Sequence, residues 1–248
     1  MPSIVVNEIS KRFGNLQAVD KVSFEVEQGE IFGLLGPNGA GKTTSLRILL
    51  DIFKPDSGSV SIMNGPMTEE KKNLIGYLPE ERGLYEDIQL ERCLVYLATL
   101  KGMNEVDARK KIDEYLVRFN LDESRKKKVK ELSKGMQQKA QLITTLVHEP
   151  KIIIIDEPFS ALDPINTQMV KDLLIEWREK GTTIIMCTHQ MHQVEELCDR
   201  LALINRGRVV LYGTLRDIQK RFASQAVEIH SNTTLPLDLP GVQSMEQH

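Results

Sequence analysis

The segment Gly36-Pro-Asn-Gly-Ala-Gly-Lys42-Thr43 follows the pattern G-x-x-x-x-G-K-T and comes directly after an apolar run, Ile31–Leu35. Glycines in such a loop leave the backbone N–H groups free to close around the β- and γ-phosphates of a nucleotide. Lys42 adds a positive charge, Thr43 can place its hydroxyl on Mg²⁺, and a helix over about 42–52 would direct its positive dipole end at the same anion. The loop residues predicted to bind the nucleotide are Gly36, Pro37, Asn38, Gly39, Ala40, Gly41, Lys42, Thr43 and Thr44.

Two carboxylates follow a second apolar run, because Asp156 and Glu157 come directly after residues 152–155. In open α/β sheets, ligands bind at the carboxyl ends of the strands, which is where these acids would stand. We predict that Asp156 holds Mg²⁺, directly or through water, and that Glu157 orients or deprotonates the attacking water. Two adjacent acids are also typical of a solvated turn, and the phosphate loop is what favours the catalytic interpretation.

These motifs need a sheet that holds them side by side, and the apolar runs along the chain predict one. Alternating strands and helices indicate parallel strands that are buried on both faces. The predicted strands are residues 152–155, 182–187 and 201–205, with helices at about 166–180 and 191–199. Shorter β-like runs at 4–9, 22–26 and 60–63 predict a small antiparallel layer near the N-terminus.

Between these two groups of strands, residues 88–101 and 105–119 have helical spacing and predict a helical insertion of about residues 80–149. Asn104 is a plausible N-cap of the second of these helices. The apolar side chains predicted to share one face of it are Val106, Ile112, Leu116 and Phe119. The predicted fold class is therefore α/β, a P-loop NTPase core with a mostly parallel sheet, an N-terminal antiparallel layer, a helical insertion and a partial C-terminal extension.

The end of the chain predicts a further unit. A hairpin at 208–212 leads into a helix around Leu215–Phe222 and then into a strand-like run at 226–230. The residues after 230 complete no unit of their own. We therefore expect residues 1–220 to form one nucleotide-binding domain and residues 221–248 to begin a small C-terminal domain that is incomplete, through truncation or disorder of the remainder.

The composition is that of a globular protein, with 248 residues of which 41% are hydrophobic. Thirty-two basic and 35 acidic residues give a net charge of −3, so no nucleic-acid partner is predicted. No run approaches the roughly 18 apolar residues of a membrane span, and the N-terminus lacks the pattern of a secretory signal. Cys93, Cys187 and Cys198 show no Cys-x-x-Cys spacing, which predicts packed, reduced thiols in a cytosolic protein.

Four further segments make the chain similar to the ATP-binding cassette (ABC) ATPases. Leu132-Ser-Lys-Gly-Met-Gln resembles the signature segment of that family, usually L-S-G-G-Q, and it precedes the Asp-Glu strand as it does there. Ser160-Ala-Leu-Asp163 resembles the D-loop, and His189 after Ile184-Ile-Met-Cys-Thr resembles the switch histidine. Phe13 resembles the aromatic residue that stacks on adenine. The resemblance covers about residues 3–220.

The resemblance implies that ATP and Mg²⁺ are the ligands and that two ATPase subunits, identical or related, associate head to tail. The signature of one subunit, with Ser133 and Gly135, and Asp163 of the D-loop would then contact the ATP held by the phosphate loop of the other. Ser133 is also a good N-cap for a helix beginning near Lys134, so the first free N–H groups of that helix would make a second anion site.

For catalysis, the resemblance implies that His189 contacts the γ-phosphate and stabilises the hydrolytic geometry together with Glu157. Lys42 would stabilise the charge of the transferring phosphoryl group. Phe13 lies between a β-like run and Gly14. By default such a side chain is core, but in this family it would be an exposed platform for adenine.

Three positions depart from the family pattern. Glu80, in Gly76-Tyr-Leu-Pro-Glu80, stands where the family has a glutamine that senses Mg²⁺ and water, and a carboxylate there predicts either firmer metal binding or uptake of a proton. Lys134 replaces a glycine of the signature and Met136 replaces its glutamine. These changes add a cation and remove an amide near the partner's nucleotide, so they concern turnover rate more than ATP binding.

The segment Leu78-Pro-Glu-Glu-Arg-Gly-Leu-Tyr85 resembles a branch of drug- and ion-export ATPases, including sodium exporters, whose chains carry an extra C-terminal domain. This implies a subunit that drives export of an ion or small molecule through a separate membrane permease, bound peripherally at the cytoplasmic face of the membrane. The helical insertion would receive that permease. The alternative is a nucleotide-gated clamp that acts on ribosomes or DNA, although such relatives carry two cassettes or a long coiled-coil insertion. The basic run at 125–128 is interpreted as a solvated loop or a contact for a partner protein.

Overall fold

The computed structural model describes residues 2–80, 83–160 and 162–222. The strands in this part of the chain are β1 Pro2–Phe13, β2 Leu16–Glu27, β3 Ile31–Leu35, β4 Ser57–Ile62, β5 Ile75–Leu78, β6 Ile152–Asp156, β7 Thr183–Thr188, β8 Arg200–Asn205 and β9 Arg208–Thr214. The helices are α1 Lys42–Leu49, α2 Glu69–Asn73, α3 Leu90–Leu100, α4 Glu105–Arg118, α5 Lys134–Leu146, α6 Pro164–Glu179, α7 Met191–Leu197 and α8 Leu215–Phe222.

The predicted α/β fold with two sheets is confirmed. The larger sheet has the strand order β5-β6-β7-β3-β8-β9, and all its neighbouring strands are parallel except β8 and β9. Strands β3, β6 and β7 are buried along their whole length, as expected for central parallel strands that are covered on both faces. The carboxyl ends of these three strands therefore meet at one edge of the sheet.

The strand register brings the chemical residues of this edge together. Leu35, the last residue of β3, pairs with Thr188, the last residue of β7. Asp156, the last residue of β6, pairs with Cys187 on the other side of β7. The phosphate loop, the Asp-Glu pair and His189 thus leave three adjacent strands at the same level.

The smaller sheet is antiparallel, with the order β2-β1-β4, and it confirms the predicted N-terminal layer. Its strands are longer than predicted, because β1 and β2 continue as a hairpin to the pair Phe13 and Leu16. The sequence shows hydrophobic alternation only where one face of this hairpin is buried, for example at Ile4 and Val6. At its tip the side chains are exposed, so backbone pairing alone extends the strands.

The helical insertion contains α3, α4 and α5, and Asn104 caps α4 as predicted, since its Oδ1 accepts a hydrogen bond of 2.9 Å from the backbone N–H of Asp107. The prediction that Val106 lies on the buried face is wrong, because Val106 is 78% exposed. The buried positions are 108, 112, 116 and 119, which recur every three or four residues. Val106 is two residues before the first of them and so points about 200° away around the helix.

Strand β5 and helix α2 were not predicted, because no element was assigned from the sequence between residues 64 and 79. The edge strand β5 pairs in parallel with β6, and Ile75 and Leu78 are buried. Gly76 permits the close approach of α5, since a Cβ atom there would lie 2.3 Å from the backbone oxygen of Thr145.

Strand β9 pairs antiparallel with β8 and leads into α8, Leu215–Phe222, as predicted. The predicted strand at 226–230 lies outside the described residues, as does the predicted second domain at 221–248 except for residues 221 and 222, which end α8. The three cysteines are buried and free, which confirms that they pack in the core. Across the described ranges, no helix combines the length and the apolar character needed to cross a membrane.

Candidate nucleotide-binding site

The phosphate loop, residues 36–41, connects β3 to α1, and its tip at Pro37, Asn38 and Gly39 is exposed. Gly41 is the N-cap of α1 and has a left-handed backbone with φ of 106°. A Cβ atom at Gly41 would lie 2.3 Å from the backbone oxygen of Ala18. The loop therefore has this shape only with glycine at that position, and Thr43 and Thr44 follow it in the first turn of the helix.

Lys42 lies inside the curve of the loop. It is only 6% exposed, and its ammonium group donates hydrogen bonds to the backbone oxygens of Gly36, at 2.7 Å, and Pro37, at 3.2 Å. A buried cation held by neutral carbonyl groups has no counter-charge of its own among these contacts. The loop thus fits an anionic ligand such as a chain of phosphates.

The turn between β8 and β9 supports the loop from behind, a feature that the sequence analysis missed. The backbone N–H of Gly207 donates to the carbonyl oxygen of Ala40 at 2.8 Å, and the carbonyl oxygen of Gly207 accepts from the N–H of Asp20 at 2.8 Å. The sequence predicted only the hairpin at 208–212, which begins directly after Gly207. The pairing of β8 with β3 brings this turn to the phosphate loop, and the sequence alone did not predict that pairing.

The two predicted metal ligands from different motifs are in contact. The hydroxyl group of Thr43 donates a hydrogen bond of 2.8 Å to Oδ2 of Asp156, which is 1% exposed. Burial raises the pKa of Asp156, the hydrogen bond from Thr43 lowers it, and the charges of Glu80 and Glu157 raise it further. A cation at this position would relieve the cost of burying that carboxylate.

The chemistry of these donors fits Mg²⁺, which takes hydroxyl, carboxylate, water and phosphate oxygens as ligands. Within residues 2–80, 83–160 and 162–222, no group of three or more His, Cys, Asp or Glu side chains could hold a metal ion by itself. An ion beside Thr43 and Asp156 would therefore take further ligands from substrate phosphates and water, which is the usual arrangement for Mg²⁺ in nucleotide sites.

Glu157 is held by the end of the neighbouring strand β7. Its Oε1 accepts hydrogen bonds from the backbone N–H of His189 at 3.1 Å and contacts the ring Nδ1 of His189 at 2.7 Å. Its Oε2 accepts from the hydroxyl group of Thr188 at 3.2 Å. Glu157 itself is 9% exposed and has a positive φ of 52°, a strained conformation for a residue other than glycine.

Glu80 follows β5 and is exposed. Its charge is among the causes that raise the pKa of Asp156, so the two carboxylates repel each other at this edge of the sheet. The described residues show no direct contact between these two side chains.

Phe13 lies at the tip of the β1–β2 hairpin and is 43% exposed. Its ring contacts the edge of the Phe53 ring, with centroids 5.5 Å apart, and Phe53 in turn lies under the guanidinium group of Arg47 at 5.8 Å. The ammonium group of Lys11 lies over the Phe13 ring, 5.9 Å from its centroid. A partly exposed aromatic side chain suits the stacking of a planar base. Its contact with adenine stays a prediction.

Ser133 and Asp163 are at the N-termini of two helices. The side chain of Ser133 caps α5 by accepting from the N–H of Met136 at 3.2 Å, as predicted. Asp163 caps α6 by accepting from the N–H of Asn166 at 2.8 Å, and this hydrogen bond lowers the pKa of Asp163. The exposed Ser133 and the neighbouring Gly135 stay predicted ATP contacts, as does Asp163, for which the structure adds a capping role.

A cavity of about 870 Å³ lies at the other edge of the sheet, where β7 begins. The charged side chains around it pair with one another, for example Lys111 with Glu149 at 2.7 Å and Arg118 with Glu176 at 2.5 Å. Because these charges are paired, the cavity has no strong preference for a ligand of either charge. The functional argument therefore rests on the edge of the sheet that carries the phosphate loop.

A parallel sheet with a glycine-rich phosphate loop and an acidic strand end beside it defines a nucleoside-triphosphate-binding domain of the P-loop class. The family model for the ABC transporter matches residues 19–160, more than half of the chain. The chain belongs to this family. It is an ATP-binding subunit of an ABC transporter, which binds ATP with Mg²⁺, hydrolyses ATP and works with a membrane permease.

Individual relatives extend this similarity beyond the residues that the family model covers. The ABC transporter ATP-binding protein YhaQ of Bacillus subtilis is 43% identical over 94% of this chain and 78% of its own length. The linearmycin resistance ATP-binding protein LnrL of the same organism is 32% identical over 88% of this chain and 71% of its own. The Nod factor export ATP-binding protein I of Burkholderia thailandensis is 35% identical over 90% of this chain and 75% of its own.

Solved structures agree with the fold. An ATP-binding subunit of an ABC transporter superimposes with a TM-score of 0.82 and is 32% identical, covering 88% of this chain and 92% of that one. CbiO1 of Clostridium perfringens, described as part of the ABC transporter complex cbiONQ, has a TM-score of 0.75 at 28% identity, covering 88% and 91% of the two chains.

Proposed function

We propose that this chain powers the export of an ion or small molecule through a separate permease. The support for export is the similarity to a Nod factor export protein and to a linearmycin resistance protein. The observation that carries the catalytic part is the position of Glu157, whose carboxylate is held by His189 one strand away from the phosphate loop. We propose that the subunit works at the cytoplasmic face of the membrane, where its substrate ATP is available.

The proposed hydrolysis is an in-line attack of water on the γ-phosphate. Lys42 and the loop N–H groups would hold the phosphates, and Thr43 and Asp156 would hold Mg²⁺, with the charge of Glu80 acting on the Asp156 carboxylate. Bound Mg²⁺ supplies positive charge that stabilises the transferring phosphoryl group. Glu157 orients the water and accepts its proton, and His189 holds the carboxylate and reaches toward the γ-phosphate.

We further propose that two subunits close on ATP head to tail. Ser133 and Gly135 are at the exposed start of α5, where free helix N–H groups can meet the phosphates bound by a partner subunit. Asp163 begins the next helix in the chain, and Phe13 would stack on the adenine.

The helical insertion is the proposed contact for the permease. Tyr85, Tyr96 and Leu100 are between 47% and 59% exposed, and the two tyrosine rings contact each other edge to face. Exposed aromatic and aliphatic side chains in one place are typical of a protein contact. Residues 1–220 would make up the nucleotide-binding domain, with residues 80–149 as this helical part.

The proposal is tested with Glu157→Gln. Because the amide keeps the shape of the carboxylate but cannot accept the proton, we expect ATP binding to persist, turnover to fall to background and an ATP-bound dimer to accumulate. Glu179→Gln, which changes an exposed glutamate at the end of α6, is the matched control and should behave like the parent.

Hydrolysis, nucleotide binding and mass in solution are measured on both variants. Parental hydrolysis by Glu157→Gln would remove Glu157 as the base. An inactive variant that stays monomeric with ATP and Mg²⁺ would refute the head-to-tail dimer. For transport, the chain should co-purify from membranes with a permease, and its absence from that fraction would argue against the exporter.

A further inference from the structure

Thr188 is a fully buried polar residue to which the proposed function gives no role. It ends β7, the strand between β6, which carries Glu157 at its end, and β3, which leads into the phosphate loop. Its backbone pairs with Leu35, the residue before that loop. The side chain therefore lies between the two halves of the site.

The hydroxyl group of Thr188 has two possible acceptors. Oε2 of Glu157 is 3.2 Å away and Oε1 of Gln193 is 3.4 Å away, while the N–H of Gln190 donates to the same hydroxyl oxygen at 3.2 Å. In this arrangement Nε2 of Gln193 donates to Oε1 of Gln190 at 2.8 Å, and Oε1 of Gln193 is turned toward Thr188.

A hydroxyl group carries one proton, so it can donate to only one of these acceptors at a time. The carboxylate is closer and is charged, and hydrogen bonds to charged acceptors are roughly twice as strong as those between neutral groups. Thr188 therefore donates to Glu157, and Gln193 is the competing neutral acceptor on α7.

With this hydrogen bond, both oxygens of the Glu157 carboxylate have a hydrogen-bond partner in the protein. Oε1 is held by the backbone and the ring of His189, and among the described residues the donor at Oε2 is Thr188. Donors on one oxygen alone would let the carboxylate turn about its last side-chain bond. Donors on both oxygens fix its plane and direct a free lone pair.

We propose that Thr188 is a positioning residue for ATP hydrolysis, whose hydroxyl group fixes the orientation of the Glu157 carboxylate toward the attacking water. This inference rests on the proposed role of Glu157 in handling that water. It adds a fully buried residue that acts on the reaction through Glu157. The effect should appear in the chemical step and not in ATP binding.

The test is Thr188→Val, which keeps the shape of the side chain and removes the hydroxyl group. We expect kcat for ATP hydrolysis to fall on the order of tenfold to a hundredfold, because small misplacements of a catalytic group cost about that much. The KM and the Kd for ATP should change by less than about twofold. Thr188→Ser, which keeps the hydroxyl group, should restore most of the rate.

The matched control is Thr183→Val, at the other end of the same strand. Thr183 is 1% exposed, and its hydroxyl oxygen accepts from the backbone N–H of Gly29 at 3.0 Å, far from the catalytic edge. The same substitution there also removes a buried hydroxyl group, so it reports any general loss of folding. We expect it to leave kcat at the parental value.

Glu157→Gln is measured in parallel, so that a failure of this inference can be told from a failure of the proposed function. If Glu157→Gln is inactive and Thr188→Val keeps the parental kcat, the positioning role of Thr188 is wrong and the catalytic role of Glu157 stands. If Glu157→Gln keeps the parental rate, both are overturned.

A smaller substitution completes the test. Should Thr188→Val not fold, Thr188→Ala is compared with Thr188→Ser. A lower kcat in the alanine variant alone supports the proposal, and equal rates refute it.

Discussion

At the scale of single residues, Glu80 adds a negative charge to an edge of the sheet that already carries Asp156 and Glu157. Its charge is one of the causes that raise the pKa of Asp156. We expect Glu80→Gln to raise the Mg²⁺ concentration that half-saturates hydrolysis, on the order of threefold to tenfold, because an attractive charge is lost from the metal site.

The measurement is a Mg²⁺ titration of ATPase activity at fixed ATP. Glu86→Gln, which neutralises an exposed acid in the loop before α3, is the control and should titrate like the parent. An unchanged titration of Glu80→Gln would place Glu80 outside the metal site.

Site residues that belong to a sequence motif could be predicted. Site residues whose partners depend on how the strands pair in the sheet could not. Thr43 and Asp156, which are far apart in sequence, meet at 2.8 Å as their motifs indicate. Thr188 stands next to the predicted His189, yet its sequence context shows only a polar residue at the end of an apolar strand. Its partners depend on β7 lying between β6 and β3, which is information about the whole sheet.

At the scale of elements, the joint between the phosphate loop and α1 depends on Gly41. We expect Gly41→Ala to weaken ATP binding by tenfold or more, because the added Cβ atom would lie 2.3 Å from the backbone oxygen of Ala18 and the backbone has a positive φ. Binding of ATP with Mg²⁺ is measured by calorimetry.

The control for this change is Gly102→Ala in the loop between α3 and α4. Gly102 also has a positive φ, of 86°, but a Cβ atom there would have no neighbour within 4 Å. This variant should lose about 1–2 kcal/mol of stability through backbone strain and bind ATP normally. Equal binding losses in both variants would show that strain, and not the approach to Ala18, is the cause.

Elements with a clear period were predicted closely, and the failures have local causes. Helix α8 has the bounds that were predicted for it, and the apolar run Ile31–Leu35 forms β3. Val106 was assigned to the wrong face because valine is apolar, although it is out of phase with Ile112 and Leu116. Strand β5 is only four residues long, so its period could not be seen, and its burial comes from β6 and α5.

At the scale of the whole molecule, the helical insertion is joined to the sheet where β5 begins. The backbone oxygen of Ile75 lies 3.3 Å from Nε2 of His148, which follows α5, and 3.0 Å from the ammonium group of Lys101, which follows α3. Burial, together with the nearby charge of Lys101, lowers the pKa of His148 from 6.5 to about 4. The folded protein therefore keeps His148 neutral where the unfolded chain would protonate it.

The free energy of unfolding should consequently fall as the pH drops from 6.5 toward 4, because the unfolded chain then binds a proton that the folded chain does not. At pH 5 the loss due to His148 is about 2 kcal/mol. We expect His148→Gln, which cannot be protonated, to lose less stability between pH 7.5 and 5 than the parent does, as measured by urea unfolding.

His192→Gln is the control, since His192 is exposed, and its stability should change with pH as in the parent. Carboxylates such as Glu176, whose pKa Arg118 and Lys180 lower to about 2, begin to lose their contribution only below about pH 4.5. The same pH dependence in the parent and in His148→Gln would mean that this histidine is accessible to protons in the folded protein.

The strand that leads into the phosphate loop pairs with two strands that come much later in the sequence. Strand β3 ends at Leu35, but it pairs with β7 and β8, and Ala40 is supported by Gly207. During synthesis, a chain that has grown only to Thr182 contains the complete glycine-rich motif and neither strand that flanks it. ATP binding can therefore stabilise the last stage of folding but not the first. A nascent chain gains affinity for ATP only when nearly all of the nucleotide-binding domain has been synthesised.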